Sequence, residues 1–398
     1  MKILLLSTRF PLPPRRGQQV RSLEWLEALK EHELRLLCPE APDADPTELI
    51  ARIGPGLRIR CWADSPLRRL LAAPRGMFRG QPLQESIFST GMARAILRTM
   101  LGEEGLDLLI IQMVRCAWAM EICRKTAPDL PVLFDVIDAM GLHFGRRADQ
   151  GGPTARLSRI EGNRCLRREK LLVDRADRVI AVARRDLDFL GVSPEKGRVI
   201  PVAGRVPGSP DQERDRMRLL LSGNLGYQPT VEGALWFARA VWPRLKKEFP
   251  GLSWVLAGAR PPRAIRKLAA LDGVEVHADP PSLAPFLAGA GIAIAPMASG
   301  SGVSMKILEA WAAGLPVVAH PWTLGGVEGD GRQAALQAET PGEWTEAIRR
   351  LLGDEELRSR LVEGGREIRQ RVYHPDAVAA AIRESVRELV PEPAKAQS

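Results

Sequence analysis

Residues 292–319, IAIAPMASGSGVSMKILEAWAAGLPVVA, constrain the fold more than any other stretch, because a strand, a glycine-rich turn, a short helix and a second strand follow without a break. The apolar run Ile292 to Ala295 reads as a buried parallel strand, and Leu315 to Ala319 as the next one after a helix stop at Gly314. Between them Val303, Ile307, Ala310 and Trp311 keep the spacing of a buried helical stripe. Gly302, Lys306, Glu309 and Ala313 fall on the opposite face, so two charges are expected to look outward there.

Lys306 falls in or near the first turn of that helix, where the macrodipole disfavours a cation. An incoming phosphate would explain its position. Gly300 and Gly302 let the backbone approach a ligand, the free N–H groups of a helix start hold phosphate oxygens, and Glu309 is placed to accept from both hydroxyls of a ribose. The competing reading is an exposed Lys306–Glu309 pair at i, i+3, worth only a few tenths of a kcal/mol. The glycine turn between two buried strands favours the ligand.

The same alternation of short apolar runs with helical patterns occurs twice along the chain, the order that gives parallel sheets covered by helices. Strands are expected near 2–7, 34–38, 107–112, 131–136, 178–182 and 198–202, then near 217–222, 253–257, 274–277, 291–295, 315–319 and 334–338. The polar, proline-containing stretch Ala203 to Arg216 reads as a linker between the two sets. The fold class expected is α/β, with two Rossmann-like domains facing across a cleft: residues 1–203, a linker at 204–216, and residues 217–374. Residues 375–398 are expected to form a helix that packs back across the cleft and a disordered tail, and 398 residues with 45% hydrophobic content supply core enough for both domains.

Five cysteines without a CxxC pair or disulfide-like spacing fit a reducing cytoplasm. The start, MKILLLSTRF, has too short an apolar run for a secretory core or a membrane span, so any membrane contact is expected to be peripheral. A net charge of +9 calls for an acidic partner. Residues 66–80, PLRRLLAAPRGMFRG, mix arginines with apolar side chains, which suits an anionic lipid surface or a solvated loop equally. The arginine-rich stretch Arg156 to Arg175 carries interleaved acids and reads as a plain amphipathic helix. Nucleic acid is not expected, since the basic stretches lack interleaved aromatics and no binding motif is present.

Each half opens with a strand feeding a loop and a helix, and open α/β sheets bind ligands at such carboxyl-end crevices. In the first, RFPLPPRRGQQVRSLEWL, Gly17 precedes a helix whose start accepts a phosphate or sugar oxygen, beside Arg15 and Arg16. In the second, SGNLGYQPTVEGALWF, Gly223, Asn224 and Gly226 serve a donor or form a tight turn with no ligand. Neither has the G-x-G-x-x-G spacing of dinucleotide enzymes, which counts against NAD or FAD.

The second half resembles the donor domain of GT-B glycosyltransferases of family 4, among them the sugar transferases of bacterial exopolysaccharide assembly. The matching pieces run in order: SGNLGYQPTVEGALWFARAVWP, WVLAGARPP, MASGSGVSMKILEAWAAGLPVVAHP and GGVEG. The opening RFPLPPRRGQQVRSLEWLEAL is similar to the group's amino-terminal strand and loop, while the middle of the first half matches only in plan. The resemblance implies retaining transfer of a sugar from a nucleotide sugar, such as a UDP- or GDP-sugar, to a glycan or lipid-linked acceptor, without a required metal or other cofactor. By its motif Glu309 binds the ribose, Gly302 and Val303 offer N–H groups to the diphosphate, and Lys306 adds a charge.

The chain departs from the family at Ser301, where a glutamate is expected eight positions before Glu309, and in the first donor-domain loop, which lacks the usual Arg and Lys. Arg260, in AGARPP, is the candidate replacement cation. A base or sugar-orienting group is expected from FDVIDAMGLHF, which offers Asp135, Asp138 and His143; Asp138 equally suits a helix cap, and His143 a surface position. The other histidines do not cluster, and no metal site is expected. The departures leave open a catalytically inactive nucleotide-sugar-binding or scaffold protein, and a peripheral membrane-binding module is a separate alternative.

Overall fold

The computed structural model describes residues 1–14, 16–41, 44–63, 76, 80–102, 105–149, 151–203, 214–300, 303–329 and 333–391. Gly302, Ser301 and Arg15, most of the basic segment 66–80, most of the linker and the tail from 392 onward lie outside the described residues. The chain divides into two compact units, Met1–Val202 with Asp376–Ser398, and Ala203–Pro375.

In the first unit β1 (Lys2–Leu6), β2 (Glu33–Pro39), β3 (Leu57–Trp62), β4 (Leu108–Gln112), β5 (Val132–Asp135), β6 (Arg178–Ala181) and β7 (Gly197–Val199) form one parallel sheet. Their order is β3-β2-β1-β4-β5-β6-β7. Helices on both faces explain why β1 and β4 are almost uninterrupted leucine and isoleucine, with all of Leu108–Gln112 buried. The edge strand β3 falls outside the expected set. Its sequence LRIRCW alternates, with Arg58 and Arg60 exposed, so it lacks the continuous apolar run that marks the central strands.

The second unit pairs β8 (Arg218–Asn224), β9 (Ser253–Ala259), β10 (Val274–Ala278), β11 (Ile292–Ala295), β12 (Val317–Ala319) and β13 (Leu336–Gln337) in parallel, in the order β10-β9-β8-β11-β12-β13. Its core closes around aromatic rings: Phe237 lies 4.9 Å from Trp254 and 5.5 Å from Trp344, centroid to centroid. The carboxyl-terminal helix Pro375–Leu389 belongs with the first unit, where Glu388 pairs with Arg178 at 3.1 Å and Arg198 at 3.5 Å.

The first unit is knit by a buried polar network. Arg21, fully enclosed on the helix Gly17–Ala28, pairs with Asp135 at the end of β5 at 3.2 Å and donates to the Pro201 carbonyl at 3.1 Å. Trp25 Nε1 and Gln112 Nε2 also donate to the Asp135 carboxylate, at 2.7 and 3.1 Å. Asp135 is therefore a structural acceptor, saturated by three side chains, and not the base that its place in FDVIDAMGLHF allowed.

The helix Ala155–Arg175 is more than the plain amphipathic helix expected. Its Glu161 accepts the N–H groups of Leu83 and Gln84, both at 3.1 Å, and its Glu169 those of Met140 and Gly141, at 2.6 and 3.1 Å. Two buried carboxylates thus cap the starts of two other helices, Leu83–Phe88 and Met140–Asp149, where unsatisfied N–H groups and the macrodipole favour negative charge. Burial raises Glu169 to about 7, against the two backbone N–H groups that hold its charged form.

Removing one partner of a buried, hydrogen-bonded ion pair strands the other, at a cost of about 3–5 kcal/mol. Asp135→Ala is expected to lower the stability of the protein by about that amount in urea denaturation followed by circular dichroism. A midpoint equal to that of the unchanged protein would contradict the structural role of the pair.

Candidate functional site

In a parallel sheet that grows in both directions from its first strand, the crevice lies where neighbouring strands send their connections to opposite faces, at their carboxyl ends. In the second unit that point lies between β8 and β11. Gly223 and Asn224 end β8, and the segment after β11 leads through Gly300 into the helix Met305–Ala312.

Gly258 stands opposite Gly223 in the β8–β9 register, and a Cβ there would lie 1.7 Å from the Gly223 carbonyl oxygen. Only a glycine at 258 allows that approach. Gly223 has a φ of +105°, and its missing side chain leaves the space reached by Lys306, whose Cε lies 4.0 Å from where a Cβ would be. Asn224 Oδ1 accepts from the Gly226 N–H at 3.1 Å, an Asx turn that shapes the loop. Arg260 ends β9 exposed, with a φ of +52°, its N–H bound to Asp279 Oδ1 at 2.7 Å.

The helix Met305–Ala312 turns Ile307, Ala310 and Trp311 into the core, with Val303 partly buried against it. It stops as the sequence indicated: Gly314, φ +68°, donates to the Trp311 carbonyl and Leu315 to that of Ala310, a Schellman pair. The ring of Trp322 donates to the Gly300 carbonyl at 3.1 Å and Thr323 to that of Met297 at 2.6 Å, pinning the segment ahead of the helix.

Lys306 and Glu309 are half-buried and not the exposed pair that helical spacing allowed. Part of the Lys306 chain remains open, yet its amine is enclosed enough that burial pulls it down to about 8, against the opposing pull of Glu309. At the helix start the Ser304 hydroxyl is buried and finds no hydrogen-bond partner among the described residues. A cation lowered by burial and a buried hydroxyl without a described partner thus stand together at a helix start, where backbone N–H groups and the macrodipole favour negative charge.

The corresponding crevice of the first unit lies between β1 and β4. Gly17 opens the helix on the β1 side, with no neighbour within 4 Å of a notional Cβ. Met113, just past β4, and Ile137, past β5, have φ of +61° and +57°. With Arg260 and Asp279 past β9 and β10, these are the described non-glycine residues with positive φ, each costing on the order of 1–3 kcal/mol. All four sit at carboxyl ends of parallel strands, where ligands bind.

His143 lies on the helix Met140–Asp149, half-buried, and burial holds its imidazole below the usual value although Asp138 acts in the opposite sense. Asp138 is not that helix's cap, a role taken by Glu169. Its charge acts on both His143 and Arg115. Arg115 was not singled out in the sequence, although its place three residues past β4 is the signal that finds it. Among the described residues no group of three His, Cys, Asp or Glu side chains is arranged to hold a metal ion, and no helix is long and apolar enough to cross a membrane.

Comparison with known proteins gives two family matches. Residues 16–203 match the glycosyl transferase 4-like domain, and residues 216–354 match glycosyl transferases group 1. No curated protein sequence matches the chain. Among solved structures, sucrose-phosphate synthase from Thermosynechococcus elongatus is similar with a TM-score of 0.73 at 18% identity, over 98% of this chain and 99% of that one. HepE from Anabaena in complex with UDP and glucose gives 0.63 at 14% identity, over 98% and 100%. A glycosyltransferase from Rickettsia africae gives 0.65 at 10% identity, over 98% and 99%. With the two glycosyl transferase domains following one another along the chain and the two parallel-sheet units those enzymes share, the protein belongs to the GT-B glycosyltransferases.

Proposed function

We propose that this glycosyltransferase moves a sugar, with retention, from a UDP- or GDP-sugar to a glycan or lipid-linked acceptor in bacterial cell-surface polysaccharide synthesis. The observation that carries the reading is the enclosed Lys306 amine over Gly223, one turn from Glu309, at the switch point of the second sheet. Glu309 accepts from the ribose hydroxyls. Lys306, the Ser304 hydroxyl and the helix start take the diphosphate, joined by Gly302 and Val303 as N–H donors, with Arg260 as a further cation. The complex of HepE with UDP and glucose supports a nucleotide-sugar donor of this type.

The chemistry follows from those charges. Breaking the bond between the sugar and the diphosphate puts negative charge on the leaving oxygen and positive charge on the sugar ring. A fixed ammonium and fixed N–H dipoles stabilise the first without reorganisation, and tight orientation lowers the entropy of reaching it. In the first unit, burial favours the neutral form of His143, which both donates to and accepts from hydroxyl groups of the sugar or acceptor, and Asp138 is the neighbouring charge that acts on it. No cofactor or metal is assigned a part in this scheme. The basic segment 66–80 would draw the protein to the inner face of an anionic membrane.

Release of UDP or GDP from a panel of sugar nucleotides tests the activity; tight binding without release would overturn it. Glu309→Ala removes charge-assisted hydrogen bonds worth about 1.5–3 kcal/mol, so donor affinity is expected to fall about ten- to hundredfold while circular dichroism stays unchanged. Unaltered kinetics would remove Glu309 from the site.

The Lys306 amine also sets a pH dependence. It carries its charge below about 8, so donor affinity is expected to fall as the pH rises through that value. Folding responds in the opposite sense: between about 8 and its ordinary value near 10.5 the unfolded chain holds a proton the folded one lacks, so this group's contribution to stability rises with pH. Lys306→Gln should flatten the affinity profile measured by calorimetry from pH 7 to 9. A profile that keeps its slope in the variant would place the titration elsewhere.

A further inference from the structure

We propose that the first unit carries its own anion-binding subsite, centred on Arg115, which takes a phosphate group of the acceptor. The inference rests on the reading that this unit receives the acceptor. Arg115 occupies the β1–β4 switch point, the counterpart in the first sheet of the place Lys306 and Gly223 occupy in the second.

Its guanidinium is held by neutral groups. Nε donates to Gln84 Oε1 at 2.7 Å and Nη1 to Gln18 Oε1 at 3.1 Å, while the cation rests over the Phe88 ring at 5.8 Å. Among the described residues no carboxylate forms an ion pair with it, and its Nη2 has no hydrogen-bond partner. Arginines drawn into this fold are elsewhere matched by a carboxylate, as Arg21 is by Asp135 and Arg168 by Glu85, and Arg115 is half-buried without one. Here two amides fix the orientation and leave the charge unneutralised.

The surroundings bear this out. Burial is the largest influence on Arg115 and disfavours its charge; among the neighbouring charges Asp138 favours the charged form and Arg16 opposes it. Arg147 and Arg115 both act on the neighbouring His143. The position is also rigidly set, because Gln18 donates to the Thr8 hydroxyl just past β1 and Met113 holds its unusual φ two residues before Arg115. A planar guanidinium with one free edge, held in place at a half-buried position, is suited to a phosphate group.

The test uses isothermal titration of the full chain with inorganic pyrophosphate, with UDP at saturation to fill the second unit's site. Pyrophosphate is expected to bind, and Gln18→Glu, which keeps an acceptor on Arg115 Nη1 but supplies an internal carboxylate, should weaken it at least tenfold. Thr8 can reverse its hydroxyl to donate to that carboxylate, so the variant keeps the fold, checked by circular dichroism. Arg115→Gln should abolish binding. Equal pyrophosphate affinity in the folded Gln18→Glu variant, or no binding by the unchanged protein, overturns the proposal. Tighter binding of farnesyl diphosphate than of pyrophosphate would assign the phosphate to a lipid carrier, and tighter binding of glucose 6-phosphate would assign it to a sugar phosphate. UDP titrated alone reports on the donor reading separately, so failure of one is distinguishable from failure of the other.

Discussion

The fold of the first unit depends on the pairing of Arg21 with Asp135. A guanidinium and a carboxylate, both without solvent exposure, are tolerable only if each is fully hydrogen-bonded. Here the requirement is met by groups from β4, β5, the first helix and the segment after β7, through Gln112, Trp25 and the Pro201 carbonyl. Ser22 extends the network, donating to Gln112 Oε1 at 2.6 Å and lying 2.9 Å from the Ser7 hydroxyl past β1. The carboxyl ends of β1, β4 and β5 are consequently fixed in one arrangement. That is the edge on which Arg115, Asp138 and His143 stand.

The second unit reaches the same result by different means. Its strand ends are brought together by the Gly223–Gly258 approach, and the site helix is anchored from below by Trp311, whose ring donates to the Ala334 carbonyl at 3.2 Å. Steric fit, in place of a buried ion pair, sets the geometry. The difference has a chemical consequence. Among the described residues no carboxylate forms an ion pair with Lys306, so the main cost of its charge is desolvation, which a bound anion would relieve.

Much of this was legible in the sequence, and what was not shares one physical cause. The central strands announce themselves as apolar runs because both faces of a parallel sheet are covered; β3 does not, since its alternating sequence at the edge leaves Arg58 and Arg60 in water. Lys306 and Glu309 were visible through their spacing after a glycine turn, yet their partial burial was not, because enclosure by the Gly223 loop comes from residues about eighty positions away. Asp135 and Asp138 look alike in sequence, three residues apart beyond the same strand. Only the arrival of Arg21, Trp25 and Gln112 from distant segments makes one a structural acceptor and leaves the other beside His143.

The same cause accounts for the helix Ala155–Arg175. Periodicity reports that a face is buried without reporting what meets it. Glu161 and Glu169 are eight residues apart, on one face, and each meets the start of another helix. One of those helices carries His143. The other, Leu83–Phe88, carries Gln84, which holds Arg115. A single helix thus fixes both sides of the first unit's crevice by supplying negative charge where helix dipoles require it. Carboxylates engaged in capping are not available to pair with Arg115, whose guanidinium is held by two neutral amides and has no ion pair among the described residues.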